Sequence, residues 1–242
     1  MKSFLLLFFA LFLFSCEKSD SLDSSSGSSK SGSTASMIIY QGYMYVLDND
    51  AIRVMTLADP KNPTIVTKLS IGPGNETLFA YKTHLFVGNN SGMKVVDITD
   101  PTHPILVVDI PQFQSHDPIV VRNDTAFQTR HWGEEDGSHG GTLLIHDVTE
   151  PSNPWQIGNL NLEFPLGLDY KDDILFVCNG RFGLDILSLK ITDRPELINT
   201  ITSVNVSDCI VLDNRLVCQS GSGLIIFDIT AAEKPILLKT ID

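Results

Sequence analysis

The sequence predicts an all-β fold, a β-propeller of about five four-stranded blades. Three observations carry this: a segment that returns at close to 40 residues, four short β-rich runs in each repeat, and no amphipathic helical period. The returning segments are VMTLADPKNP at 54–63, VVDITDPTHP at 95–104, IHDVTEPSNP at 145–154, LSLKITDRP at 187–195 and IFDITAAEKP at 226–235. Thr56, Asp97, Asp147, Ser188 and Asp228 each precede a proline by seven positions. Those prolines, Pro63, Pro104, Pro154, Pro195 and Pro235, are separated by 41, 50, 41 and 40 residues. The one long interval marks an insertion in the third repeat.

Repeat 2 divides into runs at Thr77–Tyr81, His84–Val87, Met93–Ile98 and Ile105–Ile110, and repeat 5 into Cys209–Leu212, Leu216–Gln219, Leu224–Ile229 and Ile236–Ile241. Gly, Asn and Pro fall between the runs, where turns need positive φ or a fixed φ. Four antiparallel strands repeated about an axis form a propeller, and the blades are expected at about 37–72, 73–111, 112–162, 163–203 and 204–242. A side chain at the start of an Asp-x-x-Pro turn accepts backbone N–H bonds there. Thr56 and Ser188 can do the same with hydroxyls, which suits turn closure and not metal ligation.

GMKVVDITDPTHP at 92–104 and GLIIFDITAAEKP at 223–235 resemble the LVIVD repeat of bacterial surface propellers. Repeat 1 (AIRVMTLADPKNP) and repeat 4 (GLDILSLKITDRP) depart at the aspartate and agree in spacing. The resemblance extends over nearly all of 37–242 and implies the architecture. The family has no single activity to lend.

The first 15 residues read as a secretory signal. Lys2 is followed by an unbroken apolar run from Phe4 to Phe14, too short for a helix across a bilayer, which needs roughly 20 residues. The run ends in Leu13-Phe14-Ser15-Cys16, which resembles the lipobox of bacterial lipoproteins. That resemblance implies cleavage before Cys16 and acylation of its sulfur and new N-terminus. Glu17, rather than Asp, follows the cysteine, which by the same resemblance implies the outer membrane of a Gram-negative cell envelope. Residues 16–36 are Ser- and Gly-rich and are expected to be a disordered linker; about 20 such residues span roughly 25 Å. The formal charge of −12 excludes nucleic acid as a partner. Membrane contact is expected through the lipid alone.

In each blade the connections into the first strand and between the second and third open on one face. Glu76, Asp117 and Asp208 align at the start of the first strand in blades 2, 3 and 5, with His116 beside Asp117. Carboxylates gathered at a channel mouth raise one another's pKa unless a cation or basic group intervenes. Two readings stay open, a hydrated channel or a bound cation such as Ca²⁺. The insertion of blade 3, Thr129 to Gly141, lies on the same face and contains Arg130, His131, Trp132, Glu134 and His139; His131 and His139 with Glu134 are zinc-ligand types. Arg181 and Phe182 of blade 4 are its expected neighbours. The ligand-binding face is therefore assigned to Glu76, His116, Asp117, Arg130, His131, Trp132, Arg181 and Asp208. Glu76, Asp117, Asp208, His131 and His139 are the candidate metal ligands.

No nucleophile elbow, Cys–His pair or phosphate-binding loop is readable, so no catalytic residue is assigned, and no cofactor beyond such a cation. The leading expectation is a binding module for a protein or glycan partner in the cell envelope. The alternative is a metal-dependent hydrolase or lactonase using His116, Asp117 and His131. In blade 5 a two-residue turn at Asp213-Asn214 sets Cys209 opposite Cys218, within reach of a disulfide, which leaves Cys178 as a buried thiol.

Cys16→Ala is expected to release the protein from the membrane fraction and to abolish the lipid mass increment. A variant that still fractionates with membranes at unchanged mass would exclude the anchor.

Overall fold

A computed structural model describes residues 32–90, 92–111, 118–134, 137–221 and 223–241. Cys16, the signal, the linker up to residue 31, and His116 and Asp117 lie outside the described residues. The chain forms five sheets. Blade 1 comprises β1 (Met37–Tyr40), β2 (Tyr43–Asp48), β3 (Ala51–Thr56) and β4 (Thr64–Ser70). Blade 2 comprises β5 (Asn75–Tyr81), β6 (His84–Asn89), β7 (Gly92–Asp97) and β8 (Ile105–Pro111). Blade 3 comprises β9 (Ile119–Arg122), β10 (Thr125–Gly133), β11 (His139–Asp147) and β12 (Trp155–Leu162). Blade 4 comprises β13 (Leu168–Lys171), β14 (Ile174–Cys178), β15 (Leu184–Ser188) and β16 (Glu196–Ile201). Blade 5 comprises β17 (Asp208–Leu212), β18 (Arg215–Ser220), β19 (Gly223–Asp228) and β20 (Ile236–Ile241). Within each sheet the strands pair antiparallel in chain order. The chain is thus an all-β propeller of five four-stranded blades.

Local chemistry explains the repetition. The hairpin between the first two strands of each blade turns through a residue of positive φ: Gln41, Lys82, Asn123, Asp172 and Asp213, near 50°. This hand of turn matches the strand twist. After the third strand, Asp97, Asp147 and Asp228 each accept the backbone N–H two residues on, at 2.7, 2.8 and 2.8 Å. Thr56 and Ser188 accept the same bond through their hydroxyls, at 3.2 and 3.4 Å. Hydrogen bonds from Thr99, Thr149 and Thr230 hold the three carboxyls below their ordinary range. In every blade the register between third and fourth strands then shifts at one place, as at Val54/Met55, Val95/Val96 and Ile145/His146. Such bulges increase the twist.

Packing between blades is built on one position. The third residue after each first hairpin is Tyr45, Phe86, Phe127 or Phe176 in blades 1 to 4, and all four are fully buried. Each lies in the apolar cluster that joins its blade to the next. Polar ties accompany them: Lys82 pairs with Asp124 at 2.6 Å, Arg122 with Asp173, and Lys171 donates to Asn214 Oδ1 at 2.6 Å. In blade 5 the equivalent residue is Val217, only partly buried. It shares its face with Leu212 and Leu224, which are 47% and 41% exposed. Among the described residues no apolar cluster joins blade 5 to blade 1, and neither blade borrows a strand from the other.

A short segment bridges the axis instead. Residues 32–36, expected to be disordered linker, are folded against the first strands. The Ala35 carbonyl accepts from Leu78 N–H of blade 2 at 2.7 Å. Ser33 is fully buried; its Oγ accepts from Leu168 N–H of blade 4 at 2.8 Å and donates to Asp208 Oδ1 of blade 5 at 3.3 Å. Thr34 donates to the other Asp208 oxygen. Composition misled here because Ser33 and Thr34 make hydrogen bonds to blades 4 and 5, a tertiary effect that a propensity for disorder does not register.

Phe127→Ala is expected to cost about 3–5 kcal/mol through transfer and cavity terms. Val217→Ala at the same register should cost under about 1 kcal/mol, because it is already partly wet. Urea denaturation of the two variants measures the difference, and equal losses would mean that the outer face of blade 5 is covered as well as the others.

Candidate functional site

The first strands begin, and the second strands end, on one face, and among the described residues three cavities open there. At the axis a cavity of about 300 Å³ is lined by Thr34, Glu76, Pro118, His131, Gly167 and Ser207, among others. Blades 2 to 5 and the bridging segment all contribute. The structure therefore brings Glu76 and His131 to a common channel mouth. The His131 ring packs on Phe164, with centroids 4.5 Å apart. Asp208 does not line this cavity: it sits beneath Ser33 and Thr34, and their hydroxyls occupy its oxygens. Burial pushes its carboxyl up from the ordinary value, opposed by those hydrogen bonds. The expected ring of three carboxylates is thus reduced among the described residues to Glu76 at the mouth and a capped Asp208 below it.

The blade 3 insertion is not a loose loop. β10 and β11 remain paired out to Gly133↔His139, so the insertion is a hairpin that carries the ladder beyond the blade. Strand alternation then sorts its side chains. Arg130 and Trp132 turn toward blade 2 and His131 toward blade 4. Trp132 is 48% exposed and leans over its cross-strand partner Gly140, where a Cβ would lie 2.7 Å from the indole. This is why glycine stands there.

Trp132 forms the ridge between two grooves. Toward blade 2, a groove of about 550 Å³ is lined by Arg130, Trp132, Thr142, Gln156, Asn159 and Asn161, with Pro111 and Leu144 as its other apolar surface. The Arg130 guanidinium lies 5.7 Å from the indole centroid, and its Nε has no hydrogen-bond partner among the described residues. Toward blade 4, a groove of about 990 Å³ includes His139, Glu163, Asn179, Phe182, Asp185 and Thr200. His139 is 3.7 Å from Glu163 and packs on Phe182 at 4.6 Å; the Arg181 guanidinium lies 4.9 Å from the Phe182 ring centroid. His139 and His131 thus serve different cavities. No group of three metal-ligating side chains converges among the described residues.

Asp185 is a site residue that the repeat comparison did not reveal. It is 6% exposed and accepts from Asn179 Nδ2 and Thr200 Oγ1, both at 2.6 Å. Burial pushes its carboxyl up, against those two bonds. The signal was present: a charge in GLDILS where blade 5 has an isoleucine in GLIIFD.

Cys209 and Cys218 stand opposite one another in the β17–β18 register, yet both are free thiols, as is Cys178. The expected disulfide is therefore absent from this structure. All three lie in the cluster between blades 4 and 5. Burial, with Cys209 and Cys218 as its neighbours, pushes the Cys178 thiol well up, which suppresses the reactive thiolate.

Comparison with known proteins places this geometry. Residues 79–110 match the LVIVD repeat family. No curated protein matches the chain. Among solved structures, a periplasmic gluconolactonase from Pseudomonas aeruginosa is similar at TM-score 0.64 and 11% identity, over 83% of this chain and 67% of that one. A hypothetical selenium-binding protein from Sulfolobus tokodaii gives 0.63 and 14%, over 84% and 59%. A protein from Lactobacillus plantarum gives 0.60 and 14%, over 86% and 68%. At these identities the likeness is one of fold, and this chain spans only 59–68% of the length of those proteins.

Thiol titration of denatured, unreduced Cys16→Ala protein is expected to return three free thiols per chain. A count of one would show that Cys209 and Cys218 are bridged after export.

Proposed function

We propose that this propeller, which carries an LVIVD repeat, is a binding module of the bacterial cell envelope. It is held by lipid at Cys16 to the outer membrane and engages a protein or glycan partner through the rim of blade 3. The observation that supports the reading is the β10–β11 hairpin. It extends two strands past the blade, raises an indole that is 48% exposed, and sets a groove on each side of it. Exposing a large aromatic ring is costly unless it is covered in use. A rigid ladder holding such a ring at a concave rim is the arrangement that ligand sites favour. The acidic chain leaves anchoring to the acyl chains, each buried CH₂ contributing about 0.8 kcal/mol.

Arg130 already pairs with Thr142, so residues 131–141 can be exchanged for Asn-Gly with the remaining ladder in register. Full-length protein is expected to cosediment with isolated bacterial envelope fragments, and the exchanged protein at least tenfold less, with the β-sheet circular dichroism of both unchanged. Equal cosedimentation would move the functional surface elsewhere.

A further inference from the structure

We infer that the groove between blades 2 and 3 binds an acidic saccharide, a hexuronate unit whose ring lies on Trp132 and whose carboxylate meets Arg130. This deepens the reading above and rests on it. Three features of the groove converge on that chemistry.

The first is an unmatched cation. Arg53, Arg122 and Arg215 are each held by an aspartate, Asp48, Asp173 and Asp228. Arg130, partly buried, has no carboxylate within salt-bridge distance among the described residues; its neighbour is the Trp132 ring. Arg130 lines the groove, and a guanidinium can take a carboxylate through two parallel hydrogen bonds. In a chain of net charge −12, long-range attraction of an anion is unavailable. A cation with no carboxylate partner among the described residues, inside a concavity, therefore selects an anion only at short range.

The second is the polar wall. Gln156, Asn159 and Asn161 on β12 present exposed amides to the groove; the buried Thr142 hydroxyl donates to Asn161 Oδ1 at 3.4 Å, and Gln156 Nε2 to the Gly158 carbonyl at 3.3 Å. An amide offers two donors and an acceptor side by side, which suits neighbouring hydroxyls that both give and accept. The third is the ring itself. Nearly half of Trp132 is open, and the ring lies close over Gly140, where any Cβ would meet it. A sugar ring presents C–H groups on one face and hydroxyls around its edge, so it can lie on the indole and reach the amides at once. A protein hot spot would surround the tryptophan with further apolar side chains; here Pro111 and Leu144 are the only others among the described residues. The volume, about 550 Å³, is of the size that small ligands use.

The test titrates full-length protein in detergent micelles with oligogalacturonate, and with a neutral malto-oligosaccharide of equal length, by calorimetry and tryptophan fluorescence. The acidic probe is expected to bind at least tenfold more tightly and to perturb the fluorescence. Arg130→Gln should remove that preference and leave the two probes equal. Trp132→Ala should abolish binding of both. Trp155→Ala, at the far end of β12, should leave affinity unchanged. Thermal unfolding of each variant guards against misfolding. Equal affinity of the wild type for both probes, no binding of either, or an Arg130→Gln variant that keeps its preference would each overturn the inference. The envelope-fragment experiment is independent: retained dependence on the hairpin with no response to the acidic probe would reject the saccharide and keep the binding surface.

Discussion

A blade is a sheet with two apolar faces and no core of its own, and everything else in this molecule follows from the need to cover both. The chain meets it with one aromatic residue per junction, at one register, on the second strand. Tyr45, Phe86, Phe127 and Phe176 each hand a buried ring to the following blade. The hairpin preceding each ring has a fixed length and a fixed hand of turn, so the ring arrives at the same depth every time. The bulge between third and fourth strands adds the twist that lets outer strands splay while inner strands converge. Blade 5 ends the series with a valine. The run of junctions stops there, and the hydroxyls of Ser33 and Thr34 on Asp208 take over as the connection across the axis.

Because the junctions fix the interior, chemical variety is pushed to the rim. The three cavities described occur where strands start or end, and the two grooves flank a hairpin that, alone among the described residues, outgrows its blade. That hairpin gains precision from being ladder and not loop: alternate side chains are committed to opposite grooves. The blade 2 side receives a cation and amides, the blade 4 side a buried carboxylate and two aromatic rings. Two neighbouring grooves of contrasting chemistry thus share one indole as their divider.

Much of this was legible in the chain. Repeat spacing located the blades because proline and aspartate act locally: a carboxylate two residues from an N–H closes a turn whatever surrounds it, and Asp97, Asp147 and Asp228 do so. Pairing of Cys209 with Cys218 was readable from a two-residue turn by counting. What could not be read depends on neighbours distant in sequence. Ser33 looks like linker until Leu168 and Asp208 are beside it. Asp185 looks like a surface charge until Asn179 and Thr200 close on it. The insertion looked like a loop because glycine and acidic residues dominate its composition, while the pairing of Trp132 with Gly140 depends on a register that composition does not carry. Asp208 aligned with Glu76 in the repeat, yet the segment preceding blade 1 covers it, and no repeat alignment contains that segment.

The bridging segment has a consequence for the integrity of the ring. Thr34 lines the axial cavity, so part of its wall comes from chain ahead of the first strand. The same few residues bond at once to Leu78 of blade 2, Leu168 of blade 4 and Asp208 of blade 5. The aromatic junctions link blades in series, each to the next, whereas this segment ties blades that are not neighbours. It acts as a clasp, and a clip that severed it would leave every junction intact while removing a fastening that crosses the ring.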